Sequence, residues 1–134
     1  MNKIAGFEDI QSWQKARELV SSVYTITKES AFSTDYALKN QISSAAVSIM
    51  SNIAEGFSRR TTKELVQFLF ISKGSTAEVQ SQLYIALDQG YIDRQKFDEL
   101  YSSCHCERSA AIPINSTNSI NWAWPGEGSP LCAG

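Results

Sequence analysis

The stretch that decides the fold is SIMSNIAEGF, residues 48–57, and two arginines, Arg59 and Arg60, come soon after it. Its apolar residues Ile49, Ile53 and Phe57 recur every four positions, which indicates one side of an α-helix. The other side is polar, and a buried helix rarely spends so many positions on Ser, Asn and Glu. We expect this helix to end at Gly56, because glycine adopts the left-handed conformation of a helix end at the least cost.

Asn52 and Glu55 are the two polar residues of this stretch that need a partner. We expect both to lie at least partly buried and to bond to a neighbouring helix, which would fix its register. For Glu55 we expect an Arg or Ser partner, because unpaired buried charges are rare. The alternative is that Asn52, Glu55 and Arg60 line a surface that binds another molecule.

Working outward, the chain divides into four helical segments. Ser33, Thr34 and Asp35 offer N-cap oxygens for the helix that ends near Gly56. Thr61 and Glu64 form a capping box for the next helix, and Asp93 can cap the last. The predicted core stripes are Ile10, Trp13, Ala16, Val20, Val23 and Thr27; Leu38, Ile42, Ala45, Ile49 and Ile53; Leu65, Leu69, Ser72, Thr76, Val79, Leu83 and Ala86; and Phe97, Leu100 and Tyr101. The pattern predicts an all-α, up-down four-helix bundle.

The third helix carries small residues along its seam, and Gly74 lies in its middle. A glycine inside a helix costs roughly 1 kcal/mol relative to alanine unless close packing repays it. We therefore expect another backbone to approach closely at Gly74.

The fourth helix fades after about ten residues of helical pattern, and all three prolines lie at or beyond residue 113. We therefore predict a four-helix-bundle domain over residues 1–103 with a truncated fourth helix. Residues 104–134 form an irregular, disordered C-terminal tail in this interpretation. The truncated helix and the small residues of the third helix leave apolar surface exposed, so we expect a homo-oligomer.

Composition limits the class of protein. The chain has 134 residues and a net charge of −2, which fits one domain without a global positive field. It has no apolar run long enough for a membrane helix and no recognisable signal segment, so we expect a cytoplasmic protein with no membrane contact.

Catalytic and metal-binding constellations are poorly supported. His105 is the sole histidine, so no Ser/His/Asp or Cys/His arrangement can form in the helical body. Cys104, His105 and Cys106, with Cys132 far along the chain, do not have the paired spacing of a structural zinc site. Glu55 and Glu78 lack the Glu-x-x-His motifs of bundle dimetal sites. We predict no enzyme activity, no metal, no cofactor and no small-molecule substrate.

Arg59, Arg60 and Lys63 form the one basic cluster in the sequence. They lie next to a helix N-terminus, whose N–H groups favour anions, so the cluster predicts contact with RNA phosphates. The alternative is a solvated loop between two helices.

An ordered set of residues over about 7–101 carries a resemblance to a known family. The set comprises Phe7-Glu8-Asp9, Trp13, Lys15, Ala16, Tyr24, Thr27, Leu38, Gln41-Ile42, Ala45-Ala46-Val47-Ser48-Ile49, Ser51-Asn52-Ile53-Ala54-Glu55-Gly56-Phe57, Arg60, Glu64, Phe68-Leu69, Gly74-Ser75, Glu78, Gln82-Leu83, Ala86 and Gly90-Tyr91-Ile92. In these residues the chain resembles the 23S rRNA intervening-sequence proteins, which include relatives of the accessory proteins of diversity-generating retroelements.

The resemblance implies an up-down four-helix bundle, commonly a ring-shaped homopentamer, with no known catalysis and a loosely defined nucleic-acid role. Three residues depart from the family pattern: Ser43 and Ser44 stand where a pair of arginines is frequent, and Met50 stands where proline is usual. Losing two positive charges weakens phosphate contact at that surface. We therefore predict a non-enzymatic, self-associating bundle that binds RNA or an RNA-associated partner. The alternative is a protein-binding scaffold without nucleic-acid contact.

Overall fold

The structure, a computed structural model, describes residues 4–59 and 61–110 of the chain. In this part of the chain a short 3-10 helix is followed by five α-helices. Their bounds are Phe7–Asp9 for the 3-10 helix, then α1 Gln11–Ile26, α2 Ser30–Thr34, α3 Tyr36–Ser58, α4 Thr62–Asp88 and α5 Arg94–Ala110. None of these helices is long and apolar enough to cross a membrane.

The four long helices form the predicted all-α bundle. α1 packs against α3, α3 against α4, α4 against α5, and α5 returns to α1, which closes the ring of contacts. α3 and α4 run antiparallel, since Ser48 bonds to Ser75 while Gly56, further along α3, packs against Phe68, earlier in α4. The core lies between the four helices.

Three of the predicted helix starts are confirmed by their caps. At the start of α5 the Asp93 carboxylate accepts a bond of 2.7 Å from the Lys96 N–H. The Asp35 carboxylate accepts a bond of 3.0 Å from the Leu38 N–H at the start of α3. The Thr61 hydroxyl accepts a bond of 3.3 Å from the Glu64 N–H at the start of α4. Side-chain oxygens satisfy N–H groups that have no partner inside the helix.

The first helical segment differs from the prediction because it is broken twice. Ile10 is extended (φ −78°, ψ 121°) and separates the 3-10 helix from α1. After Ile26 the chain turns and forms α2, which places Phe32 fully inside the core. Leu19 and Ile26 are buried more deeply than the predicted Trp13 and Val20, so the buried face of α1 is rotated from the predicted stripe.

Gly56 is not the left-handed end of its helix. α3 continues to Ser58, and Gly56 is buried within it. A Cβ atom at Gly56 would lie 2.7 Å from the Cβ atom of Phe68. The glycine is therefore needed where α3 and α4 come into close contact, and the prediction assigned it the wrong role.

Gly74 also differs from the prediction, because close packing was expected there and the space around it is open. It is exposed in the middle of α4, and a Cβ atom there would meet no described atom within 4 Å. Within the described part of one chain, no close packing compensates for the roughly 1 kcal/mol that a glycine costs inside a helix relative to alanine.

The fourth bundle helix is longer than predicted. α5 continues past residue 103 to Ala110, and Cys104 is completely buried. Phe97, Leu100 and Cys104 form one buried stripe at helical spacing, and the predicted boundary cut through it. The rest of the predicted tail, residues 111–134, lies outside the described residues.

Candidate functional site

Arg59, the first residue of the predicted basic cluster, is engaged by carboxylates and an aromatic ring. Its guanidinium lies 3.1 Å from an oxygen of Glu55 and 4.0 Å from an oxygen of Glu64. It also lies over the ring of Phe68, 5.4 Å from the ring centre. These contacts join the end of α3 to the start of α4 and balance the charge of Arg59 locally.

The other two residues of the cluster have different positions. Lys63 is exposed in the first turn of α4, and no ion pair involves it within the described part of the chain. Arg60 lies outside the described residues. The structure therefore brings Arg59 together with Glu55 and Glu64, and leaves Lys63 as an exposed positive charge near a helix N-terminus.

Glu55 was predicted to be partly buried against a neighbouring helix, and the structure differs from this prediction. Its side chain is exposed and pairs with Arg59, four residues later and directly after the end of α3. The expected Arg partner is confirmed, whereas the expected burial against a neighbouring helix is wrong. Glu55 belongs to the polar surface of α3, where a pair at i, i+4 spacing is worth a few tenths of a kcal/mol.

Asn52 is half-buried, as predicted, but its partner is on its own helix. Its amide nitrogen donates to the Ser48 carbonyl oxygen at 2.7 Å and to the Ser48 hydroxyl oxygen at 2.9 Å. The Ser48 hydroxyl in turn lies 2.9 Å from that of Ser75 on α4. The contact that fixes the register between α3 and α4 therefore passes through Ser48, and Asn52 orients it.

A second polar contact lies deeper between the same two helices. The buried Ser72 hydroxyl donates to the Ile49 carbonyl oxygen at 3.0 Å, and Thr76 donates to the carbonyl oxygen of Ser72. Small hydroxyl side chains let the helices approach closely while each buried oxygen keeps a partner. The sequence signal for this seam was the run of small residues on the third predicted helix, which is α4 in the structure.

The outer side of α4 carries four large apolar side chains that are each about half exposed. Phe70 is 53% exposed, Ile71 52%, Tyr84 49% and Ile85 45%. Gly74 and Ala77 lie between the two pairs and are also exposed. We call these six residues the α4 face. The sequence interpretation did not identify it, because it followed only the core stripe of this helix and gave Phe70, Ile71, Tyr84 and Ile85 no role.

One edge of the α4 face continues onto α5 through aromatic contacts. The Tyr84 ring centre lies 4.8 Å from that of Phe97 and 5.8 Å from that of Tyr101. Arg94 lies over the ring of Phe97, 5.3 Å from its centre. These contacts hold Tyr84 in place while half of its surface stays open.

Tyr91 connects the α4–α5 turn to the start of α3. Its hydroxyl donates to one Asp35 carboxylate oxygen at 3.0 Å, and the other oxygen of Asp35 caps α3. This hydrogen bond, followed by desolvation and the charge of the carboxylate, raises the pKa of Tyr91 above its ordinary value of 10.0. The contact joins the α4–α5 turn to the N-terminus of α3 at one end of the bundle.

The candidate metal ligands give no site in the described part of the chain. Among the side chains that the structure describes, no group of three or more His, Cys, Asp or Glu residues could hold a metal ion. Glu55 pairs with Arg59. Cys132 and the side chains of His105 and Cys106 lie outside what the structure describes.

The fold and its surfaces define a helical-bundle protein, and the comparison with protein families identifies which one. A model of the family described as 23S rRNA-intervening sequence protein matches residues 8–110, and the chain belongs to this family. The match covers α1 to α5 in full.

A solved structure is similar to this fold. It is a protein of unknown function from the S23 ribosomal protein family of Bacteroides thetaiotaomicron. The two chains are 18% identical and superpose with a TM-score of 0.70, covering 77% of this chain and 96% of the other. No curated protein matches the chain. At this identity the likeness establishes the fold alone.

Proposed function

We propose that this protein is a non-enzymatic helical bundle of the cytoplasm that assembles with copies of itself and acts as a scaffold. The observation that carries the proposal is the α4 face, where Phe70, Ile71, Tyr84 and Ile85 are each about half exposed. These residues form two apolar pairs on the outer side of α4, and exposed apolar patches mark interaction sites in soluble proteins.

The energy available at this face supports an association. Burying a large apolar side chain completely contributes about 1.5–3 kcal/mol relative to leaving it in water. Two aromatic and two aliphatic residues on one helix offer several such contributions, although each is already half buried. Aromatic residues also dominate the energetic centres of protein interfaces.

Gly74 supports the same proposal independently of the apolar residues. An exposed glycine inside a helix is unfavourable compared with alanine, and nothing described in its own chain approaches it. A helix from another copy that packs closely against α4 would use the space that a side chain would fill. Ala77, one turn later on the α4 face, is also small, so its side chain leaves room for a neighbouring helix.

A closed ring, the arrangement that the family resemblance implies, requires two different surfaces on each copy. The remaining large apolar side chains among the exposed described residues are Tyr24 on α1 and Tyr36 and Val47 on α3. α1 is not among the main contacts of α4, since α3 and α5 lie between them in the bundle. We therefore propose a head-to-tail cyclic assembly, a homopentamer, in which the α4 face of one copy packs against the α1–α3 side of the next.

The test is a comparison of Phe70→Lys with Gln95→Lys, an exposed position on α5. Both variants add one positive charge to the surface, and both should keep the helical circular dichroism spectrum. Sedimentation velocity should show that Phe70→Lys loses the assembled species, whereas Gln95→Lys retains it. Equal assembly of both variants would contradict the role of the α4 face.

RNA contact is the second candidate function, and Lys63 is the observation that favours it. Lys63 is exposed in the first turn of α4, where helix N–H groups also attract anions. Arg59 contributes less than the sequence suggested, because Glu55 and Glu64 flank it. We propose that any RNA contact of the assembled protein uses Lys63 and Arg60.

Lys63→Ala and Lys73→Ala form a matched pair for this second candidate, since both lysines are exposed on α4. Binding of labelled single-stranded RNA should weaken in Lys63→Ala, with the salt-dependence slope reduced by about 0.7 for each lost phosphate contact. Lys73→Ala should leave the slope unchanged. If unmodified protein binds no RNA at low salt, the scaffold function stands without nucleic-acid contact.

A further inference from the structure

We draw no further inference here: the strongest candidate, the cavity of about 320 Å³ between the end of α1 and the α4–α5 turn, lined by Ile26, Glu29, Gly90, Tyr91, Ile92, Asp93 and Lys96, carries nothing because its charged residues are exposed and nothing in the structure indicates what would occupy it.

Discussion

A Cβ atom placed on Gly56 would lie 2.7 Å from the Cβ atom of Phe68, so α3 and α4 meet here with no room for a side chain. The Leu65 side chain and backbone oxygen lie nearly as close, at 3.2 and 3.4 Å. A flexible side-chain end can move away from such a contact, but a Cβ atom moves only with its backbone. The α3–α4 pair therefore depends on glycine at this position.

Gly56→Ala should destabilise the bundle by about 1–3 kcal/mol, because the added methyl group forces the two helices apart. Urea denaturation followed by circular dichroism measures the change. An unchanged midpoint would show that α3 and α4 separate at this point without cost.

Gly74→Ala is the matched control, because it makes the same chemical change at a helical glycine with open space around it. At a concentration where the chain is monomeric, it should stabilise the fold by about 0.5–1 kcal/mol through helix propensity. A destabilised monomer would mean that this part of α4 is packed within its own chain.

Asn52→Leu should cost about 1 kcal/mol, the usual net value of a hydrogen bond between uncharged groups. The cost is modest because Ser48 keeps its bond to Ser75 after the amide is removed. Thermal unfolding of Asn52→Leu and of Ser48→Ala, each compared with the unmodified protein, measures the loss of stability. We expect the assembly state to remain unchanged in both variants, and a changed mass would show that Asn52 contacts another copy.

The Tyr91–Asp35 hydrogen bond predicts a loss of stability at high pH. The folded-state pKa of Tyr91 is raised above its unfolded value of 10.0. A group with a raised folded pKa stabilises the fold below the unfolded pKa, and this contribution is lost as pH rises through the folded pKa. Thermal unfolding between neutral pH and pH 11 should therefore show a drop at the alkaline end.

Asp35→Asn isolates this effect, since asparagine also caps helices well but carries no charge. The alkaline drop should become smaller, and the pKa of Tyr91, followed by ultraviolet absorbance, should fall towards its ordinary value. An unchanged titration would show that Asp35 does not control Tyr91.

Much of the fold follows from local patterns in the sequence. The Thr61 cap and the core stripes of α3 and α4 are as predicted, and Asp35 is the one of three candidate residues that caps α3. Capping and helical periodicity are predictable because they depend on neighbouring residues. The break at Ile10 and the extension of α5 to Ala110 were not predicted. Both depend on packing against other helices, which leaves a weak local signal, such as Cys104 as the last apolar residue of the α5 stripe.

The candidate site was less predictable than the fold. An Arg or Ser partner was expected for Glu55, but the choice of Arg59 as that partner depends on side-chain geometry. The α4 face was missed because periodicity shows where apolar residues recur and does not show which of them the neighbouring helices cover. Gly74 was singled out for close packing, and the structure leaves that space open within one chain.

The most direct test of self-association is the mass of the unmodified protein in solution, measured by light scattering over a range of concentrations beside Gly74→Leu. We predict that the unmodified 14.8 kDa chain forms a species with the mass of a pentamer. Gly74→Leu, which fills the space on the α4 face, should shift it to monomer while its helical content is retained. A mass of one chain for the unmodified protein at every concentration would contradict the proposal.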